Sequence, residues 1–208
     1  MNYYMLSCKK EPACPVGKLD AVLYDKAYGN WSGIEYGYFP WYSNSVRRQP
    51  HEKLPAGLVL VGQSKKYLFG VRRLIRDLYV LSDNFKKACE LTNVNFIDVE
   101  AVDFRVSAGA HANPVSYCVG MFESYSSERA LDASSIVERD EFNKIISFSR
   151  LVISDNVSSP LFKIQGLRPK IDTLFCSEEF KIRCVELNVR GIDFLPLSTS
   201  MSSTLDSV

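Results

Sequence analysis

"LYVLSDNFKKAC" (78–89) is answered 95 positions later by "TLFCSEEFKIRC" (173–184). Asp77, Ser82, Phe85, Lys86 and Cys89 recur as Asp172, Ser177, Phe180, Lys181 and Cys184. Each copy opens on a short β-favouring run, 78–81 and 173–176, that meets a serine. Apolar residues then fall at helical spacing: Phe85, Ala88, Cys89 and Thr92 in the first copy, Phe180, Cys184 and Leu187 in the second. A serine at that junction is an N-cap, its hydroxyl accepting from an orphan backbone N–H for about 1 kcal/mol. Asp83, Glu178 and Glu179 set negative charge against the positive end of the helix. A β pattern resumes at "NFIDVEAVDFRV" (95–106) and, after Gly191, at "IDFLPL" (192–197). The repeat therefore predicts a strand–helix–strand unit built twice. Every recurring residue has a capping, packing or surface role. No histidine travels with either serine to activate it as a nucleophile.

Outward from the repeat, residues 2–7, 58–63, 115–122 and 160–166 read as strands, and 145–154 as one long strand or two short ones. Residues 9–18 are a loop, 34–39 a short strand and 45–56 a polar linker. In 65–75, Leu68, Val71, Leu74 and Ile75 can share a helical face, with Gly70 weakening that reading by about 1 kcal/mol relative to alanine. A further helix is expected over 137–144. The sum is an α+β fold: a mixed, largely antiparallel sheet with a few packed helices, containing the twice-used unit. It is expected to form one domain over 1–197. Residues 1–57 make its aromatic, loop-rich part and 58–197 the part carrying the repeat, with a flexible tail at 198–208.

The chain has 208 residues, 46% hydrophobic and 24% charged, with a formal net charge of +1. A core of that size needs no disulfide or metal to hold it. The near-neutral charge gives no field to gather nucleic acid or an anionic membrane. The opening residues lack the pattern of a secretory signal, and no apolar run reaches the roughly 18 residues of a membrane span. A cytoplasmic location is expected, and the six cysteines are expected to be reduced and buried.

The chain carries no Gly-x-Gly-x-x-Gly, no phosphate-binding loop, no His-Glu-x-x-His and no Gly-x-Ser-x-Gly. No catalytic residue, cofactor or metal ligand is assigned, and the expectation is a binding protein rather than an enzyme. An enzyme of unrecognised type would rest on His111, in the small-residue run 107–114, together with nearby carboxylates. Two stretches are candidates for binding a partner. One is the aromatic segment 28–42, above all Trp31, Tyr38 and Trp41, residue types that anchor protein interfaces. The other is the acidic series Asp98, Glu100 and Asp103, with Asp98 and Glu100 on one face of a strand. The basic stretch of Lys65, Lys66, Arg72, Arg73 and Arg76 has no aromatic stacking platform beside it, so nucleic-acid binding is not expected.

Four stretches together resemble immunity protein family eleven of bacterial polymorphic toxin systems, formerly a domain of unknown function. They are "NYYMLS" (2–7), "LYVLSDNFKKAC" (78–89), "ALDASSIVERD" (130–140) and "TLFCSEEFKIRCVELNVRGIDFLPL" (173–197). The similarity is carried by Ser177, Glu178, Phe180, Gly191, Ile192 and Phe194, and loosely by Asp132 and Ser135. It implies a cytoplasmic antidote whose partner is a cognate protein toxin, secreted or delivered by contact. The antidote would block the toxin's active site or its access to substrate. For a basic nuclease the 98–103 carboxylates would imitate a phosphate backbone. The resemblance implies no membrane partner and leaves homo-oligomerisation open.

Overall fold

The computed structural model describes residues 2–17, 19–29, 51–169, 171–198 and 208. The first strands are β1 (Tyr3–Cys8), β2 (Ala21–Tyr24), β3 (Leu58–Gly62), β4 (Val71–Ile75) and β5 (Leu78–Ser82), followed by helix α1 (Asp83–Leu91). Next come β6 (Phe96–Val106), β7 (His111–Ala112), β8 (Tyr117–Phe122), β9 (Ser124–Tyr125) and the short helix α2 (Ser127–Ala130). The chain ends with β10 (Ile136–Arg139), β11 (Ile145–Arg150), β12 (Leu161–Ile164), β13 (Leu174–Ser177), helix α3 (Glu178–Glu186) and β14 (Ile192–Pro196). The class is α+β, as expected, with mixed and mostly antiparallel sheets. Among the described residues no helix is long and apolar enough to cross a membrane.

The two copies fold alike at each point where the sequence specified a local interaction. Ser82 and Ser177 cap α1 and α3, accepting from Phe85 N and Phe180 N at 3.3 Å each. The far ends match as well. Asn93 and Asn188 take positive φ, 56° and 51°, a conformation asparagine tolerates better than most side chains. Val94 N then donates to Cys89 O and Val189 N to Cys184 O, both at 2.9 Å. This is the Schellman closure, which satisfies carbonyls that a helix end otherwise leaves without donors.

The likeness extends past the strand–helix–strand unit to a third and a fourth strand. In the larger sheet, ordered β2-β3-β6-β8-β5-β4, β8 lies between β5 and β6 and is antiparallel to both. In the five-stranded sheet, ordered β14-β1-β13-β12-β9, β1 lies between β13 and β14 and is antiparallel to both. The registers agree except at a bulge between Phe96 and Asp98 of the first copy. Ser82 pairs with Tyr117 and Val99 with Gly120; Ser177 pairs with Tyr3 and Phe194 with Leu6. An outer strand joins each copy, Val71 pairing with Leu81 and Leu161 with Cys176. Even the loop bonds repeat: Ser82 N donates to Gly70 O at 2.8 Å and Ser177 N to Pro160 O at 2.9 Å. The connectivity differs. The first copy takes its middle strand from the chain that follows β6, whereas the second takes it from the N-terminal segment of the chain.

Among the described residues three apolar clusters make the core. One unites both helices with the sheet faces beneath them, through Leu81, Phe85, Cys89, Cys176, Phe180 and Cys184. A second covers the other face of the five-stranded sheet, where the β10–β11 hairpin contributes Ile145 and Phe148. The third covers the other face of the larger sheet, with Leu60, Tyr67, Phe69, Phe104 and Tyr117.

The helix expected over 137–144 is a strand hairpin, and the 65–75 stretch, ambiguous in sequence, resolves as a strand over its second half. Residues 71–75 form β4, and the preceding segment is irregular where Gly70 presses against the end of α3. A Cβ at Gly70 would stand 2.2 Å from Val189 Cγ1, and Gly70 N donates to Arg190 O at 2.7 Å. Residues 136–150 form the β10–β11 hairpin instead of a helix over 137–144. Asp140 decides this, because its Oδ1 accepts from Phe142 N and Lys144 N, both at 2.9 Å. A side chain that takes up backbone donors in this way competes with the helix. In the tail, Ser198 is exposed, residues 199–207 lie outside the described residues, and Val208 is buried in the first cluster.

Candidate functional site

The candidate residues taken from the sequence do not gather in one place. Trp31, Tyr38 and Trp41, and the strand expected over 34–39, lie outside the described residues. The acidic series divides between the two faces of β6. Asp98 and Glu100 share one face, as expected, but Asp103 points to the other, where it pairs with Arg105 at 2.8 Å. Asp98 is not a surface anion. Its side chain is 7% exposed and accepts from His51 Nε2 at 2.8 Å and from Leu54 N at 2.6 Å. Burial pushes its pKa up, but those hydrogen bonds outweigh burial and hold the carboxyl below its ordinary range. The carboxylate is thus a tether that fastens the 51–54 segment to β6. His51 had no sequence signal, since its partner is 47 positions away. Glu100 is half-buried on the same face.

His111 does not join these carboxylates. It is exposed on β7 and paired with Val106 at the far end of β6. Eight strand positions separate Val106 from Asp98, roughly 26 Å at about 3.3 Å per residue. Acid–base chemistry needs its groups within about 3 Å of a shared proton, so these residues make no common site. All six thiols are free and buried. Burial raises the pKa of Cys89 and Cys176 well above the ordinary value, and pushes Cys118 up to about 12. Such thiols stay protonated and unreactive. Among the described residues no group of His, Cys, Asp and Glu side chains could hold a metal ion.

Two of the five residues of the basic stretch, Arg72 and Arg73, are turned inward. Arg72 is fully buried. It donates to Pro15 O and Val71 O at 2.6 Å and to Gly191 O at 2.8 Å, and its guanidinium lies 5.5 Å from the Phe69 ring centroid. Arg73 donates to Asp172 Oδ2 at 3.0 Å and to Asp172 O at 2.6 Å. Only Lys65, Lys66 and Arg76 of the five remain exposed.

Arg73 belongs to the largest polar constellation in the described interior, which lies on the seam between the two copies. Lys163 reaches Asp77, and also Asp172 at 3.4 Å. Tyr79, 1% exposed, pairs across the strands with Arg73 and lies under its guanidinium at 5.6 Å from the ring centroid. Burial disfavours charge on Arg73 and Lys163, but the Tyr79 hydroxyl and the neighbouring carboxylates outweigh it, so both pKa values rise. The Tyr79 hydroxyl sits beside Arg73 without meeting hydrogen-bond geometry, and Arg73 Nε and Asp172 Oδ1 are likewise unpaired.

The outer faces of the two helices differ. On α3, Ile182 and Val185 stand one turn apart and are 47% and 64% exposed. The matching positions of α1, 95 residues earlier, are Lys87 and Glu90. At these two positions the same backbone carries charge in one copy and bare hydrocarbon in the other, while at the next pair Leu91 of α1 is 52% exposed and α3 has Glu186.

Searches of protein-family models and of curated protein sequences found no match to this chain.

Proposed function

We propose that this chain is an immunity protein that binds a cognate bacterial toxin and blocks its active site or substrate access. The observation that carries this reading is the exposed apolar pair on α3. The repeat supplies its own control: α1 shows that the unit folds with Lys87 and Glu90 at those positions, so packing does not require Ile182 and Val185 there. Exposed aliphatic side chains kept where charge would serve the fold favour a surface that is covered by a protein partner. The resemblance of the sequence to immunity family eleven names the partner class. Glu100 and Asp103 remain candidates for the polar rim of such an interface. Asp98, committed to His51 and Leu54, does not.

The test is binding to the product of the adjacent toxin gene, using purified proteins. A stoichiometric complex that abolishes toxin activity is expected. The double substitution Ile182→Lys, Val185→Glu installs the residues of the first copy, and it should weaken that complex about 100-fold while leaving the thermal midpoint of the free protein unchanged. The reading fails if the neighbouring product does not bind, or if the double variant binds and inhibits as tightly as the parent.

A further inference from the structure

We propose that Arg73, Asp77, Lys163 and Asp172 form a clasp that locks the two copies into one cooperative body by exchanging their ion pairs. Arg73 and Lys163 are equivalent positions. Each lies on the outer strand of its copy, paired with Tyr79 in one and with Leu174 in the other. Asp77 and Asp172 are equivalent too, 95 positions apart and just ahead of β5 and β13. Each copy thus owns one cation and one carboxylate. Both cations cross the seam: Arg73 of the first copy binds Asp172 of the second, and Lys163 of the second binds Asp77 of the first.

This is the reciprocity of a two-fold interface, in which one patch meets its own counterpart, here within a single chain. Arg73, Asp172 and Lys163 are 22%, 19% and 12% exposed, so solvent screens them weakly; Asp77 is 51% exposed. The two positive and two negative charges balance; Arg73 and Asp77 find their ion-pair partners in the other copy, while Lys163 and Asp172 also stand 3.4 Å apart within the second. Removing one partner would leave a partly buried charge alone, which costs far more than the pair itself contributes. Separation of the copies would break both crossing pairs at once. The clasp is therefore closed or open as a whole, which makes it a device for cooperativity. Arg72 to Gly191 O, and the Phe85–Phe180 ring contact at 5.4 Å, lie on the same seam and close with it.

Thermal unfolding and hydrogen exchange on the full chain test the clasp. The parent should unfold in one transition, with α1 and α3 exchanging together. Arg73→Asp should lower the midpoint by about 10 °C and separate the exchange rates of the two helices. Adding Asp172→Arg, with Lys163→Met removing the cation that otherwise stands 3.4 Å from that side chain, restores opposite charges in reversed order and should recover at least about tenfold in the unfolding constant over the sum of the single changes. Should Arg73→Asp fail to fold, Lys163→Met, which leaves Asp77 within reach of water, should give the same separation with a smaller shift. The proposal is overturned if the single variants keep the parent's midpoint and shared exchange. It is equally overturned if the reversed pair shows no recovery.

Discussion

The two copies of the unit differ most where their sequences agree least with their positions. Asp98 and Asp193 occupy the same place, 95 residues apart, on the strand that follows each helix. One is buried and bonded to His51 and Leu54; the other is exposed. Gly70 and Pro160 both offer their carbonyl to the capping serine, and Gly70 is pressed against the other copy's helix end. Caps, C-terminal closures and packing faces were retained in both copies. Several of the residues that diverged meet something outside the unit, although buried Ala88 also gives way to Arg183. A duplicated unit keeps what it needs to fold and changes what it needs to attach.

That contrast can be broken, most severely at the helix cores. Phe85→Ala and Phe180→Ala should each cost about 4 kcal/mol in denaturant titrations. Equal losses are expected, because both rings are fully buried and touch one another; a difference of more than half would mean that only one copy is core. Gly70→Ala should cost about 2 kcal/mol by overpacking against Val189. Pro160→Ala, at the same place in the second copy, should cost less than about 1 kcal/mol.

Asp98→Asn should cost about 2 kcal/mol at neutral pH, and Asp193→Asn less than about 0.5. The Asp98 carboxyl has a folded pKa below its ordinary 3.8, so its contribution is present above that value and lost as pH falls through the folded pKa. Melting curves from about pH 6 to about pH 3 should show the gap between Asp98→Asn and the parent closing on acidification. A gap that stayed constant would remove the tether. Ser82→Ala and Ser177→Ala should be mild and closely alike, at about 1 kcal/mol each. Unequal values would show that one cap is reinforced from outside its helix.

The repeat was legible because its signals are local. A serine three residues ahead of a buried phenylalanine, and apolar residues at helical spacing, act within a turn or two of chain. Residues 65–75 stay ambiguous in the sequence, and 137–144 departs from the helix it suggests, for the opposite reason. Their apolar spacing suits either period, and the choice was made by contacts the spacing does not encode: Val189 and Arg190 against Gly70, and Asp140 drawing its own loop closed. Of the candidate binding residues, the sequence found the acidic strand but not that Asp98 is tied to His51. It overlooked Ile182 and Val185, whose signal was present as a mismatch between the copies at Lys87 and Glu90.

By itself, then, the sequence determined the unit: two strands, a capped helix between them, and the faces each would bury. Hydrogen-bonded caps and side-chain periodicity are set by neighbours in the chain, so they can be read there. Only the tertiary structure decided that β1 completes the second copy, that Arg73 and Lys163 each serve the other copy's aspartate, and that Asp98 is a tether. Those outcomes depend on groups brought together from 47 to 99 positions apart or more. At such separations the burial and geometry of the whole fold, and not the spacing of residues, select each charge's partner.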